Sequence, residues 1–324
     1  MFIPSSLPVF LNQRAASLCQ AMIADAERLK IAVHQRPDGG TTVDLGISVE
    51  GGLEAGRRLA EVCLAGLAEV SLVPGRIEGI SAPSVQVCTD LPVAACMASQ
   101  YAGWQIAGEK FFGMGSGPMR AAAAKEALFR KIGHTERPAL AVGVLETRKL
   151  PPEAVCQDIA RQCGVEVPAL TLLAAPTASQ AGHVQVVARS VETALHKLLE
   201  LGFDLSLVQS GYGLAPLPPV AADDMAGIGR TNDAILYGGE VTLWVRADDE
   251  ELARLGPQVP SCASSDYGQP FAAIFERAER DFYKIDPHLF SPAVITLANL
   301  ATGRRFQFGR LAPDVLRQSF GANL

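Results

Sequence analysis

Apolar residues follow two different spacings along the first half of the chain. Over residues 11–29 they recur every three or four positions, which predicts an amphipathic helix. Around the turn "PDGG" at 37–40 they alternate with polar residues, which predicts a β-hairpin. The same patterns predict further helices at 53–67, 91–106 and 119–133, and strands at 68–74, 84–90 and 139–146.

The second half of the chain continues this alternation. Helical spacing over 153–164 is followed by a strand-like run at 169–177. Alternating residues at 183–188 predict a short strand that leads directly into an apolar helix, "VVARSVETALHKLLELG", at 186–202. The segment 229–248, "GRTNDAILYGGEVTLWVRAD", is expected to be a polar turn that feeds strands.

Two glycine-rich stretches interrupt the pattern. "FFGMGSGP" at 111–118 and "SGYGLAPLPPV" at 210–220 are expected to be loops, because glycine and proline are the strongest local breakers of regular structure. The faint similarity of the two stretches suggests two halves of related construction.

Helices and short strands alternate throughout, which predicts an α/β fold with α+β character. Several strands alternate rather than run continuously apolar, so a doubly wound, fully parallel sheet is not expected. We predict two domains of mixed short-stranded sheets and helices, residues 1–148 and 149–324, which need not be continuous in sequence.

Composition narrows the class of protein. The chain has 324 residues, 48% hydrophobic and 19% charged, with no apolar run of about 18 residues, so we expect a globular protein without a membrane span. The net charge of −6 without a basic stripe argues against nucleic acid as a partner. The start of the chain lacks the pattern of a secretory signal, and seven scattered cysteines without a C-x-x-C are typical of reduced thiols in a cytoplasm. Five widely spaced histidines give no metal-binding motif, so no metal is expected.

The stretch "GMGSGP" raises the possibility of a nucleotide site. A dinucleotide loop needs G-x-G-x-x-G and a Walker loop needs G-K-[ST], and neither spacing is present. A tight turn whose amides approach a flat or anionic ligand, and a purely structural turn, both remain open. Arg120 in the first turn of the following helix favours a bound anion, because the helix dipole disfavours a cation there.

Polar residues on the later segments are further candidates. Ser210, Tyr212, Asn232 and Asp233 are expected on loops, where binding residues are common but where polarity alone is also ordinary. Asn232 beside Asp233 offers the donor and acceptor groups that suit an aminopyrimidinone edge. The cluster "SCASSDYGQP" at 261–270 lacks G-x-S-x-G context and a nearby histidine, so a hydrolase triad is not favoured.

Arg189 and Glu192 lie three residues apart at the beginning of the predicted helix 186–202. Such a pair is often an ordinary surface ion pair worth a few tenths of a kcal/mol. Here, however, it borders the apolar stripe next to the end of a predicted strand, which is a favoured position for ligand clefts in α/β folds. Both interpretations remain open from the residues alone.

Seven stretches, taken together, resemble one family. They are "SQYAGWQI", "FFGMGSGPMRA", "LLAAPTASQAG", "QVVARSVETALHK", "GRTNDAILYGG", "PSCASSDYGQPF" and "DFYKIDPHLFSPA". In this order, over essentially the whole chain, they resemble methenyltetrahydromethanopterin cyclohydrolases.

The resemblance implies a cytoplasmic hydrolase of one-carbon metabolism. Such an enzyme interconverts 5,10-methenyl-tetrahydromethanopterin and its N5-formyl derivative with water, with the pterin as substrate and without a bound cofactor, metal or nucleotide. The resemblance further implies two α/β domains with a cleft between them and a homotrimer. The family's catalytic R-x-x-E falls on Arg189 and Glu192, with Glu192 as general base and Arg189 expected to hold it by hydrogen bonds and keep its pKa low.

The pterin of such a substrate needs a flat slot with hydrogen-bonding edges. By position, the candidates are Trp104, Gln105, Ser116 and Arg120 on one side and Ser210, Tyr212, Asn232 and Asp233 on the other. The chain departs from the family pattern at Tyr101, where a lysine is expected before "AGWQ".

Two other classes of function stay open at this stage. One is a pterin- or nucleotide-dependent oxidoreductase that uses the "GMGSGP" stretch. The other is a pterin-binding protein without turnover, for which the arginine beside the glutamate would have no purpose.

Overall fold

Two six-stranded β-sheets organise the protein. The computed structural model describes residues 9–75, 77–281 and 284–321; residues 1–8, on which the expectation about a secretory signal partly depends, lie outside this range. The strands in the described range are β1 (Ala32–Gln35), β2 (Thr41–Asp44), β3 (Glu69–Pro74), β4 (Pro83–Thr89), β5 (Trp104–Gly108), β6 (Phe111–Ser116), β7 (Ala141–Glu146), β8 (Leu170–Ala175), β9 (Val208–Pro216), β10 (Glu240–Val245), β11 (Val294–Asn299) and β12 (Arg305–Gly309).

Helices connect these strands. The α-helices in the described range are α1 (Leu11–Ala24), α2 (Ala26–Leu29), α3 (Leu53–Cys63), α4 (Met119–Ala123), α5 (Ala127–Ile132), α6 (Glu153–Cys163), α7 (Gln180–Val187), α8 (Ser190–Glu200), α9 (Asp224–Gly238), α10 (Asp249–Leu255), α11 (Phe271–Arg277) and α12 (Pro313–Phe320). A π-helix spans Val93–Gln100. None of the helices in the described part of the chain is long and apolar enough to cross a membrane.

The first sheet has the strand order β1-β2-β8-β7-β6-β5. Its centre is parallel, because β2 and β7 both run parallel to β8, and antiparallel strands flank this centre on both sides. Side chains of β7 alternate between the faces: Val142 and Val144 pack with α1 and α3, whereas Leu145 packs with α6. Helices thus cover both faces of this sheet, as parallel strands require.

The second sheet has the strand order β12-β11-β10-β9-β4-β3. Its β10–β11 pair is parallel and its other pairs are antiparallel. One face forms a large core with α8, α9 and the π-helix. The opposite face carries half-buried side chains, including Tyr212 and Trp244. The prediction of mixed sheets in an α/β fold is confirmed.

Both sheets take strands from both halves of the chain. Strands β3 and β4, which precede residue 148, belong to the second sheet, and β8, which follows it, belongs to the first. The predicted border between residues 148 and 149 therefore does not coincide with the boundary between the sheets. The division into two domains stays a prediction.

Both glycine-rich stretches that were expected to be loops are strands. "FFGMGSGP" forms β6, and "SGYGLAPLPPV" forms most of β9. The alternating glycines leave one face of each strand bare, and on β9 a Cβ at Gly211 or Gly213 would lie 2.8 or 2.9 Å from the side chain of Val191 on α8. The prediction was wrong for these strands because Gly211 and Gly213 allow close packing against α8, and Gly115 leaves room for Met119 on α4, instead of forming turns.

Two further segments are helical against expectation. The alternating residues 183–188 belong to α7, which Ser179 caps by accepting a hydrogen bond from the Gly182 N–H. This helix is buried on nearly all sides, so its sequence carries no helical periodicity. The first half of the segment 229–248, expected to be a polar turn, lies within α9, which Asp223 caps through the Ala226 N–H; the expected strand follows as β10.

Helix α3 packs closely against α7 because Gly56 has no side chain. A Cβ at this position would lie 2.8 Å from both Ala181 Cα and Val184 Cβ, so the two helices would have to separate. We expect Gly56→Ala to lower the free energy of unfolding by about 1–3 kcal/mol, measured by urea denaturation. Gly52→Ala at the start of the same helix is the control, because the nearest atom lies 3.9 Å away. An equal loss in both variants would contradict the close-packing explanation.

Candidate active site

Arg189 and Glu192 lie where α7 ends and α8 begins. Arg189 is the N-cap residue of α8, and Glu192 lies in the first turn of this helix. A tight turn separates the helices, in which the Arg189 N–H donates to the carbonyl of Val186. The bare face of β9 at Gly211 and Gly213 allows this first turn to lie directly on the second sheet.

The pair is buried. The side chains of Arg189 and Glu192 are 8% and 7% exposed, and 3.9 Å separates Arg189 Nη1 from Glu192 Oε2. The structure therefore excludes an ordinary surface ion pair. It leaves a carboxylate beside a guanidinium in an environment where the interaction between charges is stronger than in water.

Other partners hold the Arg189 guanidinium in place. Its Nε and Nη2 donate to Gln185 Oε1 at 3.1 and 2.8 Å, and Nη2 also donates to Ser116 Oγ at 3.1 Å. Its Nη1 donates to the carbonyl of Gln100 at the end of the π-helix. Residues of α7, β6 and the π-helix thus meet at one side chain, and charge-assisted hydrogen bonds of this kind fix its orientation.

Glu192 interacts with Arg189 by charge and not by a hydrogen bond. Within the described residues, no hydrogen bond reaches its carboxylate, and the 3.9 Å separation is too long for one. Burial raises the pKa of Glu192 to about 7, against the opposing charges of Arg189 and Arg120. The expectation of a low pKa was therefore wrong, because desolvation of the carboxylate outweighs both guanidinium groups.

Arg120 is fully buried on α4, and its own partners are internal. It forms an ion pair with Glu126 and donates to the carbonyls of Met97 and Ser99 at 3.1 and 3.2 Å. The carboxylate of Glu126 thus supplies the anion that we expected a ligand to supply. A direct role of Arg120 in ligand binding stays a prediction.

Tyr101, at the position where a lysine was expected, forms part of an aromatic stack. Its ring lies 5.0 Å from the ring of His196, and the Arg120 guanidinium lies 5.0 Å from the centre of the Tyr101 ring. Burial, followed by the charge of Glu192, raises the pKa of Tyr101 to about 12. The position therefore presents a neutral aromatic ring next to Glu192.

Ser210 and Tyr212 lie on the other side of the second sheet. Because side chains alternate along β9, they point away from the face that Gly211 and Gly213 leave open for α8. The Ser210 hydroxyl donates to Asp90 at 2.7 Å, and the Tyr212 hydroxyl donates to a side-chain oxygen of Gln86 at 3.0 Å. The structure does not bring these two residues to the buried pair.

Asn232 and Asp233 lie within α9 and not on a loop. The Asn232 amide donates to the carbonyl of Ile228 at 2.8 Å, and Asp233 accepts the Phe271 N–H at 2.8 Å. Burial raises the pKa of Asp233 to about 7, opposed by hydrogen bonds from Ser319 and Phe271. Asn232 thus bonds within its own helix and Asp233 links α9 to the start of α11, and neither hydrogen-bonds to Arg189 or Glu192.

Trp104 and Gln105 lie on β5 at the edge of the first sheet. Gln105 is exposed, and the Lys125 ammonium lies 5.3 Å from the centre of the Trp104 ring. Of the predicted binding residues, Ser116 alone hydrogen-bonds to the catalytic candidates. A contact between the others and a ligand stays a prediction.

Two surface grooves lie away from the pair. One of about 1040 Å³ is lined by residues that include Phe10, Leu91 and Leu205, and a second of about 620 Å³ shares Leu205 with it. Neither is lined by Arg189 or Glu192. In this structure the pair meets solvent only through the small exposed fraction of its side chains.

Comparison with known proteins identifies the family. A family model described as Cyclohydrolase (MCH) matches residues 10–320. The chain belongs to this family.

Several relatives of the chain carry the name methenyltetrahydromethanopterin cyclohydrolase. The protein from Methylobacillus flagellatus is 46% identical over 311 residues, which cover 96% of this chain and 95% of that protein. The protein from Rhodopirellula baltica is 49% identical over 289 residues, covering 87% and 86%. The protein from Methanosarcina barkeri is 43% identical over 316 residues, covering 97% and 98%.

Sequence reasoning missed two residues that hold Arg189 and one further carboxyl group that its charge affects. Gln185 and Gln100 hold the guanidinium of Arg189, and both lie inside stretches that resemble the family, so a signal existed. Glu146 ends β7, and its pKa is raised by burial, against a hydrogen bond from Thr177 and the charge of Arg189. An acidic residue at the end of an otherwise apolar strand was the signal for Glu146.

In the described part of the chain, no group of three or more His, Cys, Asp or Glu side chains is placed to hold a metal ion. The expectation of a metal-independent reaction stays a prediction.

The raised pKa of Glu192 predicts a pH-dependent cost to stability. The unfolded chain ionises this carboxyl above about pH 4.5, whereas the folded chain retains the proton to about pH 7. The ionised side chain therefore destabilises the fold fully above pH 7 and has no such effect below pH 4.5. We expect Glu192→Gln to be more stable than the unmodified protein at pH 8 by about 1–3 kcal/mol, with the difference largely gone at pH 5, measured by urea denaturation.

Glu166→Gln, at an exposed glutamate, is the control for the loss of one negative charge. A Glu192→Gln variant less stable than the unmodified protein at pH 8 would show that the carboxylate stabilises the fold.

Proposed function

We propose that this chain is a cyclohydrolase that interconverts 5,10-methenyl-tetrahydromethanopterin and N5-formyl-tetrahydromethanopterin with water in one-carbon metabolism. The observation that carries the proposal is the buried carboxylate of Glu192 beside the fixed guanidinium of Arg189. Membership of the cyclohydrolase family and extensive similarity to proteins of this name support it.

The substrate's chemistry requires a base. The methenyl carbon is an amidinium-like electrophile bonded to N5 and N10, and water attacks it while losing one proton. Glu192 accepts this proton, and the cation becomes a neutral hydroxyl adduct. Protonation of N10 by the same carboxyl then makes it a leaving amine, and the C–N10 bond breaks. The carboxylate of Glu192, ionised again, accepts the proton of the adduct's hydroxyl as the N5-formyl group forms, and this proton is then released to solvent.

The pKa of Glu192 suits this exchange. A pKa of about 7 makes the group an effective base and a usable acid near neutral pH, whereas an ordinary glutamate would be a weaker base. General acid–base help of this kind typically contributes about 10²–10⁴-fold to the rate.

Arg189 contributes orientation and charge. Its bonds to Gln185, Ser116 and Gln100 fix the guanidinium, which stabilises the ionised form of Glu192 without bonding to it. The second N–H of Nη1, on the atom nearest to Glu192, can orient the attacking water or the new formyl oxygen. Because the pair is nearly closed to solvent, a bicyclic ring enters only when neighbouring side chains such as Tyr101 move aside.

The oxidoreductase alternative loses its structural basis. The "GMGSGP" stretch forms β6, whose Ser116 bonds to Arg189, and it does not form a loop that cradles phosphate.

Finer properties belong to the same proposal. We propose a homotrimer without a bound metal or cofactor, with the tetrahydromethanopterin derivative as substrate. The half-buried face of the second sheet around Tyr212 and Trp244 offers a surface for subunit contact, and sedimentation equilibrium measures the assembly. Seven unpaired cysteines fit a cytoplasmic location.

Glu192→Gln tests the general base. We expect this variant to bind the methenyl substrate and to lose at least a hundredfold in turnover, followed as decay of the methenyl chromophore after subtraction of the uncatalysed rate. In the unmodified enzyme, kcat/KM for hydrolysis should rise with pH to a plateau with a midpoint near the Glu192 pKa of about 7. Near-normal turnover in the variant would end the proposed role.

Arg189→Lys tests the need for the planar guanidinium. Lysine keeps the charge but cannot reproduce the bonds to Gln185, Ser116 and the Gln100 carbonyl together, so we expect at least a tenfold loss in kcat. An unchanged rate, in a variant whose thermal unfolding is also unchanged, would mean that Arg189 acts only as a point charge.

A further inference from the structure

Glu146 is a second carboxylate near Arg189 that the proposed reaction does not use. It is the last residue of β7, paired in parallel register with Ala175, the last residue of β8. The carboxyl ends of parallel strands are a favoured position for ligands in α/β folds.

The face of the sheet on which Glu146 lies is the one that serves the active site. Alternation along β7 places it with Val142 and Val144. On the adjacent strand, Met114 is its direct partner, and Ser116 follows on the same face and bonds to Arg189. Glu146 and the anchor of the catalytic guanidinium therefore share one surface.

The carboxylate of Glu146 has little internal compensation. The Thr177 hydroxyl donates to one of its oxygens, and no ion pair reaches it from the described residues. The charge of Arg189 acts on it from beyond ion-pair distance, and Asp224 adds a like charge nearby. A half-buried carboxylate with one hydrogen bond retains acceptor capacity for two parallel N–H donors.

We infer that Glu146 is a specificity-determining residue that accepts the ring N–H and the exocyclic amino group of the substrate's 2-amino-4-oxopyrimidine edge. This inference rests on the proposed function, because it assigns a second contact to the same pterin. Asn232 and Asp233, which were predicted to bind this edge, have internal partners, the Ile228 carbonyl on α9 and the Phe271 N–H at the start of α11. Glu146 takes the role in their place.

Binding of pterin fragments tests the inference without turnover. The probes are 6-methylpterin and 6-methyllumazine, which differ in that an oxo group replaces the 2-amino group, and quenching of their fluorescence measures the affinity. We expect the unmodified protein to prefer the pterin at least tenfold. Glu146→Gln should abolish this preference, mainly by weakening pterin binding.

Two further variants keep the result interpretable. Thr177→Val keeps the shape of the side chain but removes the hydroxyl that donates to Glu146, and we expect it to reduce the preference for pterin by a smaller factor. Glu166→Gln removes an exposed carboxylate and should retain the full preference. If both Glu146→Gln and Thr177→Val fold and keep the preference of the unmodified protein, the inference is wrong.

Kinetics separate this inference from the proposed function. With the methenyl substrate, Glu146→Gln should raise KM at least tenfold and leave kcat within about threefold of the value for the unmodified protein. The reason is that an interaction present equally in the ground state and the transition state affects KM alone. Glu192→Gln should show the reverse, with turnover lost and the preference for pterin retained. Absence of turnover in the unmodified protein would refute the cyclohydrolase proposal, whereas unchanged KM in Glu146→Gln would refute the role of Glu146.

Discussion

The central constraint in this protein is a carboxylate kept out of water beside a cation that is already hydrogen-bonded to other groups. Arg189 donates hydrogen bonds to Gln185, Ser116 and the carbonyl of Gln100. The Glu192 carboxylate lies 3.9 Å from Arg189 Nη1, so it interacts with the charge of the guanidinium but accepts no hydrogen bond from it. A direct bond would stabilise the ionised form further and lower the pKa of the carboxyl. The present arrangement leaves Glu192 able to take up and release a proton near neutrality.

The surrounding fold explains how this separation is maintained. Ser116 bonds to Arg189 from β6 of the first sheet, and glycines occupy the opposite face of that strand. Helix α8 packs on the face of β9 where glycines leave no side chains. The first sheet thus holds the Arg189 side chain through Ser116, while the second sheet supports the first turn of the helix that carries Glu192. Small residues at these contacts matter as much as the polar ones, because an added Cβ would displace a helix that carries the reacting groups.

Much of the fold could be predicted from spacing alone, and the exceptions share a cause. Amphipathic helices such as α3 and α6 and the hairpin of β1 and β2 show their periodicity because each has a buried and an exposed side. The helix α7 is buried all round, and β6 and β9 use glycine for packing, so their local sequences suggest other structures. In the site, too, only local contacts could be predicted from the sequence. Gln185 lies one helical turn from Arg189, whereas Ser116 is 73 residues away in sequence, and its contact with Arg189 depends on the tertiary structure. The face of β9 that Tyr212 occupies also could not be read until its strand register was known.

The interleaved order of the strands has a mechanical consequence. The chain contributes β1 and β2 to the first sheet, β3 and β4 to the second, β5 to β8 to the first, and β9 to β12 to the second. Three covalent crossings therefore tie the two halves together, where a simple two-lobed enzyme has one. Separating the two sheets would therefore displace three connecting segments at once, each of which joins strands of one sheet to strands of the other.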